Sequence, residues 1–411
     1  MELMEKVSSI LEYGEICDHC LGRFFGKRSH GLANAERGRA LRVAHELHAD
    51  LPHAEPVSEA CWICSGEFER VDAWAARAAG ALAGIEFDTL LVGTKVPPLM
   101  AESEEMVWSD LSLRDPEPLK AEMNREVGKA VAVKTGKTAD ISRPDVVVIL
   151  DLAAETVEVQ INPIFIAGRY QKYERGIPQT HWDCRLCRGK GCPECDFTGK
   201  QYPDSVEELI GRPMIAAFDA ENAVLHGAGR EDIDARMLGT GRPFVMELVS
   251  PRRRCVDLAE LEEIVNASAR DRVGVTLSGW ADRRTVQSLK SDKAHKKYRI
   301  LVEIDGSVSQ DELRTALDQL KGATIRQRTP KRVSHRRADK VRERRVIDIE
   351  YGGTQDDAYF IDVVGEAGLY IKELISGDGG RTRPSLSEIL GKDARVTSLD
   401  VMLVETGYQG E

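Results

Sequence analysis

Leu225-His226-Gly227-Ala228-Gly229-Arg230-Glu231-Asp232-Ile233-Asp234-Ala235-Arg236 is the stretch on which the fold turns. It sets conformationally permissive glycines beside two arginines and three carboxylates, between apolar segments. That mixture breaks the periodicity of a strand or helix and predicts a loop presented by a sheet. Two readings of the loop compete. One is a salt-bridged turn. The other is an active-site loop in which Arg230 or Arg236 positions a phosphate and one carboxylate does chemistry. Composition leaves Glu231, Asp232 and Asp234 all in contention.

Downstream of the loop, short apolar runs predict strands at 243–249, 273–278, 298–304, 346–351, 358–364 and 396–404. Helices are expected at 257–267, 308–320 and 368–376. Strands and helices without strict βαβ repetition point to an α+β class with a mixed sheet. Upstream, segment 162–202 is polar, aromatic and glycine-rich and reads as a junction. Before it, Val71, Trp74, Ala75, Ala78, Ala79 and Leu82 recur on one helix face, with further helices near 33–48 and 117–131. Strands are expected at Leu90-Leu91-Val92, 146–150 and 157–161, an α/β unit. The expected division is 1–165, a junction at 166–202, and 203–411.

Eight of the nine cysteines fall in four C-x2-C pairs: Cys17/Cys20, Cys61/Cys64, Cys184/Cys187 and Cys192/Cys195. The N-terminus, Met1-Glu2-Leu3-Met4-Glu5-Lys6, lacks the apolar core of a signal peptide, so a cytoplasmic address is expected. In that compartment paired C-x2-C reads as metal before disulfide. Each pair sets two thiolates on one side of an ion, and two pairs complete a tetrahedral S4 site. Structural Zn2+, at one or two sites, is favoured over an iron–sulfur centre, and pairing between the two quartets stays open. A catalytic metal would need an open coordination position.

Net charge is −11, at face value against a polyanionic partner. Segment 326–345, RQRTPKRVSHRRADKVRERR, runs the other way: ten Arg and Lys face only Asp339 and Glu343. With Arg252-Arg253-Arg254 it makes a plausible phosphate-tracking surface, and RNA binding is favoured over a solubility role. No apolar run approaches the ~20 residues that span a bilayer, which argues against a membrane partner. Lys296-Lys297-Tyr298-Arg299 places an aromatic among cations at a strand head, suited to stacking on a base. Read alone, that tyrosine fits the core equally well. Gly368-Leu369-Tyr370-Ile371-Lys372-Glu373-Leu374 opens a helix with one lysine on an apolar face; it either snorkels or sits against a carboxylate.

Taken together, CDHCLGRFFGK at 17–27, CWIC at 61–64, NPIFIAGRYQKYERGIPQTHW at 162–182, HGAGREDIDARMLGTGRPF at 226–244, RTPKRVSHRRADKVRERR at 328–345 and GLYIKELISGDGGRTRPSLSEILG at 368–391 resemble the THUMP-containing tRNA pseudouridine synthases, the Pus-ten family. The resemblance covers nearly the whole chain. It implies a zinc-binding THUMP-like domain followed by a pseudouridine synthase domain with a mixed, mainly antiparallel sheet. It places the catalytic carboxylate on Asp232, the base-stacking tyrosine on Tyr298 and the basic partner of the carboxylate on Lys372. Ile371 and, more weakly, Leu399 become pocket residues. It further implies isomerisation of T-arm uridines at tRNA positions 54 and 55 without an organic cofactor, the THUMP-like domain gripping the acceptor end. Where the related TruA branch has Thr-Asp-Ala-Gly, this chain has Glu231-Asp232-Ile233-Asp234, so Asp234 stays a rival.

Other RNA enzymes with a THUMP domain fit less well. A methyltransferase should show a G-x-G-x-x-G turn, which is absent, and SGDGGR at 376–381 lacks the context of a thiouridine synthase nucleotide loop. A non-catalytic zinc and RNA-binding protein is the remaining alternative.

Overall fold

The structure is a computed structural model that describes residues 2–405 apart from 115, 292–293 and 335–337. The chain divides into two compact units, Met1–Asn162 with Arg252–Arg254, and Pro163–Pro251 with Cys255–Glu411.

The first unit begins with helices α1 (Leu3–Glu12), α2 (Asp18–Arg23), α3 (Asn34–His48) and α4 (Val71–Ala81). Strand β1 (Thr89–Lys95), helices α5 (Pro98–Asp110) and α6 (Leu119–Thr135), and strands β2 (Thr138–Ala139), β3 (Val146–Asp151) and β4 (Thr156–Ile161) complete it. The sheet runs β2-β1-β3-β4, parallel except for the β3–β4 hairpin. Val146, Val148 and Leu150 alternate into the core, where Trp74, Ala75 and Ala78 of α4 and Val127 and Val131 of α6 are buried. Helices α2 and α3 cross very closely. A Cβ on Gly22 would lie 1.8 Å from the Asn34 carbonyl oxygen, and one on Gly38 would lie 1.9 Å from that of Asp18. Only glycine permits that approach. Arg252–Arg254 belong to this unit; the Arg254 guanidinium is spent on Asp145 at 3.1 Å and on the Asn162 carbonyl at 2.5 Å. It does not serve as the free phosphate contact its position in an Arg triplet suggested.

The second unit opens with β5 (Ile164–Lys172), α7 (Val206–Phe218), β6 (Asn222–Gly227), β7 (Arg236–Val249) and α8 (Leu258–Ala269). It continues through β8 (Val273–Ala281), α9 (Arg283–Ser291), β9 (His295–Ile304), α10 (Gln310–Leu320), β10 (Thr324–Arg328) and β11 (Val341–Gln355). Then come β12 (Ala358–Gly365), α11 (Ile371–Ser376), β13 (Thr382–Arg383), α12 (Leu386–Leu390) and β14 (Ala394–Glu405). Among the described residues these strands form one ten-stranded sheet, β13-β10-β11-β12-β9-β14-β7-β5-β8, with β6 also on β7. Every pairing is antiparallel except β14 with β7. The molecule is thus of the α+β class, with a mixed, mainly antiparallel sheet in its second unit. Its core gathers Ile166, Tyr170, Met246, Ile300, Val302, Ile361 and Leu374.

Segment 166–202, set apart by composition as a junction, supplies most of β5 and a knuckle closed by an Asp183–Lys200 bridge. The basic run 326–345 is not one continuous surface element. Its ends are the paired arms of β10 and β11, Arg326–Arg328 with Val341–Glu343. His335, Arg336 and Arg337 lie outside the described residues.

Candidate active site and metal centres

The acidic stretch is a loop between β6 and β7, and a buried scaffold fixes it from behind. Glu231 is fully enclosed, accepting from Arg242 Nε at 2.8 Å and from Tyr170 Oη at 2.9 Å. Gln179 Nε2 donates to Tyr170 Oη and to the Gly229 carbonyl. Burial would raise the Glu231 carboxyl, but the Arg242 and Lys172 charges and the tyrosine bond hold it below the usual range. Lys172, buried on β5, donates from Nζ to the carbonyls of Ile177 at 2.8 Å and Ile233 at 3.2 Å. Its desolvation pushes its own pKa down. The most enclosed of the three candidate carboxylates is therefore structural.

Beyond this scaffold the loop turns outward, the Ala235 N–H donating to the Asp232 carbonyl at 3.0 Å. Asp232 and Asp234 then diverge. Asp232 lines a cavity together with Arg230, Tyr298, Ile371, Lys372 and Leu399, so the six non-metal candidates from the sequence share one site, and Glu231 and Arg242 also reach its wall. Asp234 does not line it; its side chain is 67% exposed.

The cations around these carboxylates are arranged differently from the sequence expectation. Lys372 Nζ is 2.6 Å from Asp234 and 3.8 Å from Asp232. Burial alone would raise Asp234, and the Lys372 contact holds it below its usual value. The shorter contact to Asp232 comes from Arg332, at 2.9 Å. Arg332 sits in a short turn at the base of the hairpin tip, and its Nε also donates to buried Glu373 at 2.7 Å. Gln327 on β10 clamps the hairpin by exchanging hydrogen bonds with the backbone of Tyr370, next to α11. Sequence reading placed Arg332 in a phosphate-tracking run; spacing gave no sign that it folds back onto Asp232.

The other candidates form the pocket walls. Tyr298 is on β9, and burial pushes its hydroxyl up to about 12. Ile371 opens α11, and Leu399 sits on β14, both buried. Arg230 lies over the Trp182 ring at 5.3 Å. Arg236, its rival for phosphate, is instead bound in two-point contact to Asp400, at 3.0 and 2.6 Å.

The cysteines gather within each quartet and not between them. Cys17, Cys20, Cys61 and Cys64, all buried, form one group; Cys184, Cys187, Cys192 and Cys195 form the other. Within each group the Sγ atoms all lie within 4.8 Å of one another, with Cys17–Cys64 at 3.6 Å in the first and three pairs at 3.6 to 3.9 Å in the second. A zinc–thiolate bond of about 2.3 Å gives a tetrahedral edge of about 3.8 Å, so both sets fit one zinc ion each. Backbone N–H groups of Gly191 and Gly199 point at Cys187 and Cys195 Sγ, at 3.2 and 3.3 Å, as thiolates require.

An N-terminal α/β unit with a cysteine quartet, joined to this sheet and its carboxylate pocket, makes a THUMP-type domain followed by a catalytic domain of the pseudouridine synthase class. The family model described as "Pus10, C-terminal" matches residues 165–405, and "Pus10 THUMP domain, archaeal" matches 74–151. The chain is 46% identical to a tRNA pseudouridine synthase Pus10 of Methanothrix thermoacetophila, over 98% of this chain and 94% of that protein. The proteins of the same name from Halorubrum lacusprofundi and Pyrococcus furiosus are 46% and 40% identical. They cover 98% and 100% of this chain and 97% and 100% of their own length. The chain belongs to the Pus10 family.

Proposed function

We propose that this chain is a tRNA pseudouridine synthase that isomerises T-arm uridines at positions 54 and 55, with Asp232 as the catalytic carboxylate. The observation that carries the reading is the sorting of the three loop carboxylates: Glu231 reaches the pocket wall but is buried and bound by Arg242 and Tyr170, Asp234 is exposed and outside the lining, and Asp232 faces the pocket with its aromatic wall and cations. The target uridine leaves its stack and lies against Tyr298, with Ile371 and Leu399 enclosing its apolar faces. Unstacking costs a few kcal/mol, which stacking on Tyr298 and phosphate contacts offset.

Asp232 then adds either to C1′ of the ribose or to C6 of the base. The glycosidic bond breaks, the uracil turns within the pocket and C5 bonds to C1′; the bond to Asp232 breaks to free the carboxylate, the C5 proton leaves to solvent and N1 takes up a proton. Every heavy atom of the product comes from the substrate and no oxidation state changes, so no organic cofactor enters. Arg332 and Lys372 hold the loop carboxylates in place, Arg230 meets backbone phosphate, and the cysteine quartets hold structural zinc. The THUMP domain binds the acceptor stem. A cytoplasmic enzyme suits this substrate; no described helix is long and apolar enough to cross a membrane.

The deciding experiment uses a tRNA transcript tritiated at uracil C5. Wild-type protein releases tritium to water and Asp232→Asn does not. Mapping the modified nucleotides locates the product at 54 and 55. No release by wild type on folded transcript sinks the enzymatic reading, and equal release by Asp232→Asn moves the chemistry to another residue.

A further inference from the structure

Five cations line the pocket: Arg242 is paired with Glu231, Arg332 with Asp232 and Glu373, and Lys372 with Asp234, while Arg230, assigned above to backbone phosphate, lies over the Trp182 ring. The fifth, Lys296, has no acceptor among the described residues. It lies two positions before Tyr298 on β9, so strand alternation puts both side chains on the pocket face. Lys297 and Arg299 alternate to the other face, where Asp362 takes them at 3.6 and 2.8 Å. Of the cations flanking Tyr298, only Lys296 is available to a molecule seated there.

Its surroundings favour a full anion. A Cβ on Gly229 would meet Lys296 Nζ at 3.0 Å and Arg242 Nη1 at 3.4 Å, so two cations converge on one bare stretch of loop backbone. Lys172, Arg242 and Lys296 face the single enclosed carboxylate of Glu231, leaving two positive charges in excess behind the pocket. A uracil carbonyl offers only a partial charge against that excess, whereas a phosphodiester offers a whole one.

We propose that Lys296 is a substrate-binding residue whose ammonium takes a phosphodiester oxygen of the nucleotide lying against Tyr298. The proposal rests on the reading of the pocket as a pseudouridine synthase site. The groups that bear on its titration are Glu231 and Asp232 on the loop, Arg242 on β7, Tyr298 on its own strand, Arg332 and Lys372. Burial, with Arg242 adding to it and Glu231 opposing, pushes the ammonium down to about 8. In the free enzyme Lys296 thus loses its charge as pH rises through about 8, while a bound phosphate keeps it protonated. Accordingly, kcat/KM falls above that pH and kcat holds to higher values.

The test compares full-length wild type, Lys296→Met and Lys296→Arg for tritium release from the C5-labelled transcript between pH 6.5 and 9.5, and for the salt dependence of tRNA binding. Lys296→Met is expected to raise KM about tenfold, to lose the alkaline fall in kcat/KM, and to reduce the log–log salt slope by about 0.7–0.9, one phosphate contact. Lys296→Arg, always charged, is expected to keep the wild-type slope and lose the alkaline fall. A Lys296→Met protein with unchanged KM and slope overturns the proposal. So does a Lys296→Arg protein that keeps the fall near pH 8, which decides the matter even if the methionine variant does not fold. Failure of wild type to release tritium strikes the underlying enzymatic reading instead, and the salt slopes still report on Lys296.

Discussion

The guanidinium of Arg332 stands 2.9 Å from the carboxylate of Asp232, although a hundred residues separate them in the chain. The contact ties the tip of one hairpin to the loop of another, and Glu373 anchors the far side of the same guanidinium. A charged hydrogen bond of this kind contributes about 1.5–3 kcal/mol. Arg332→Met is therefore expected to lower kcat in the tritium-release assay by about ten- to a hundredfold, with Arg332→Lys intermediate. Wild-type kcat in Arg332→Met would show that the contact does not serve the chemistry.

Asp234 provides the contrast. Its bond to Lys372 is at the surface, where an ion pair contributes up to about 1 kcal/mol. Asp234→Asn is expected to cost less than about fivefold in kcat/KM, against complete loss in Asp232→Asn. If the two variants were equally dead, the assignment of the catalytic carboxylate would have to be reopened.

Stability should depend on Glu231 in a pH-specific way. Its folded pKa is depressed, so the stability it contributes is full above the unfolded value, about 4.3, and is lost as pH falls through the folded value. Replacing it with Gln leaves Arg242 buried and unpaired, at a cost of about 3–5 kcal/mol near neutrality. Urea midpoints of wild type and Glu231→Gln should differ widely at pH 7 and converge in acid. A constant difference across that range would exclude the ion pair as the cause.

Metal content should separate the two quartets. Atomic emission is expected to find two zinc ions per chain and one in Cys184→Ser. The first quartet is wholly buried among Ile16, Leu21 and Ile63, so Cys61→Ser should also lower the melting temperature of its unit sharply. A single ion per wild-type chain would leave one quartet as free thiols.

How much of this was legible in sequence depended on whether a signal was local. The α4 face, the apolar run of β3, the alternation of β4 and the C-x2-C pairs are local patterns, and each folds as read. Strand β5 was missed because Arg169 and Lys172 make it look polar, although Lys172 is buried with its charge set on backbone carbonyls. Helix α7 was hidden by Pro213 in its interior. The pocket itself was legible only through resemblance, since it joins residues from six separate segments. Nothing in the spacing around Arg332 announces where that side chain goes. The reverse holds for Arg236 and Arg254, whose sequence context suggests phosphate and whose partners are Asp400 and Asp145.

Strand β14 is the last strand of the large sheet in chain order, yet it is inserted between β9 and β7 in its interior. Synthesis runs in one direction, so β9 and β7 leave the ribosome with open edges that only a later segment can fill. Leu399 and Val401 of β14 also wall the pocket. The nascent chain therefore carries Asp232, Tyr298 and Lys372 before their pocket has its β14 wall. The wall of the pocket is thus closed by the same strand that closes the sheet, and the two are completed together.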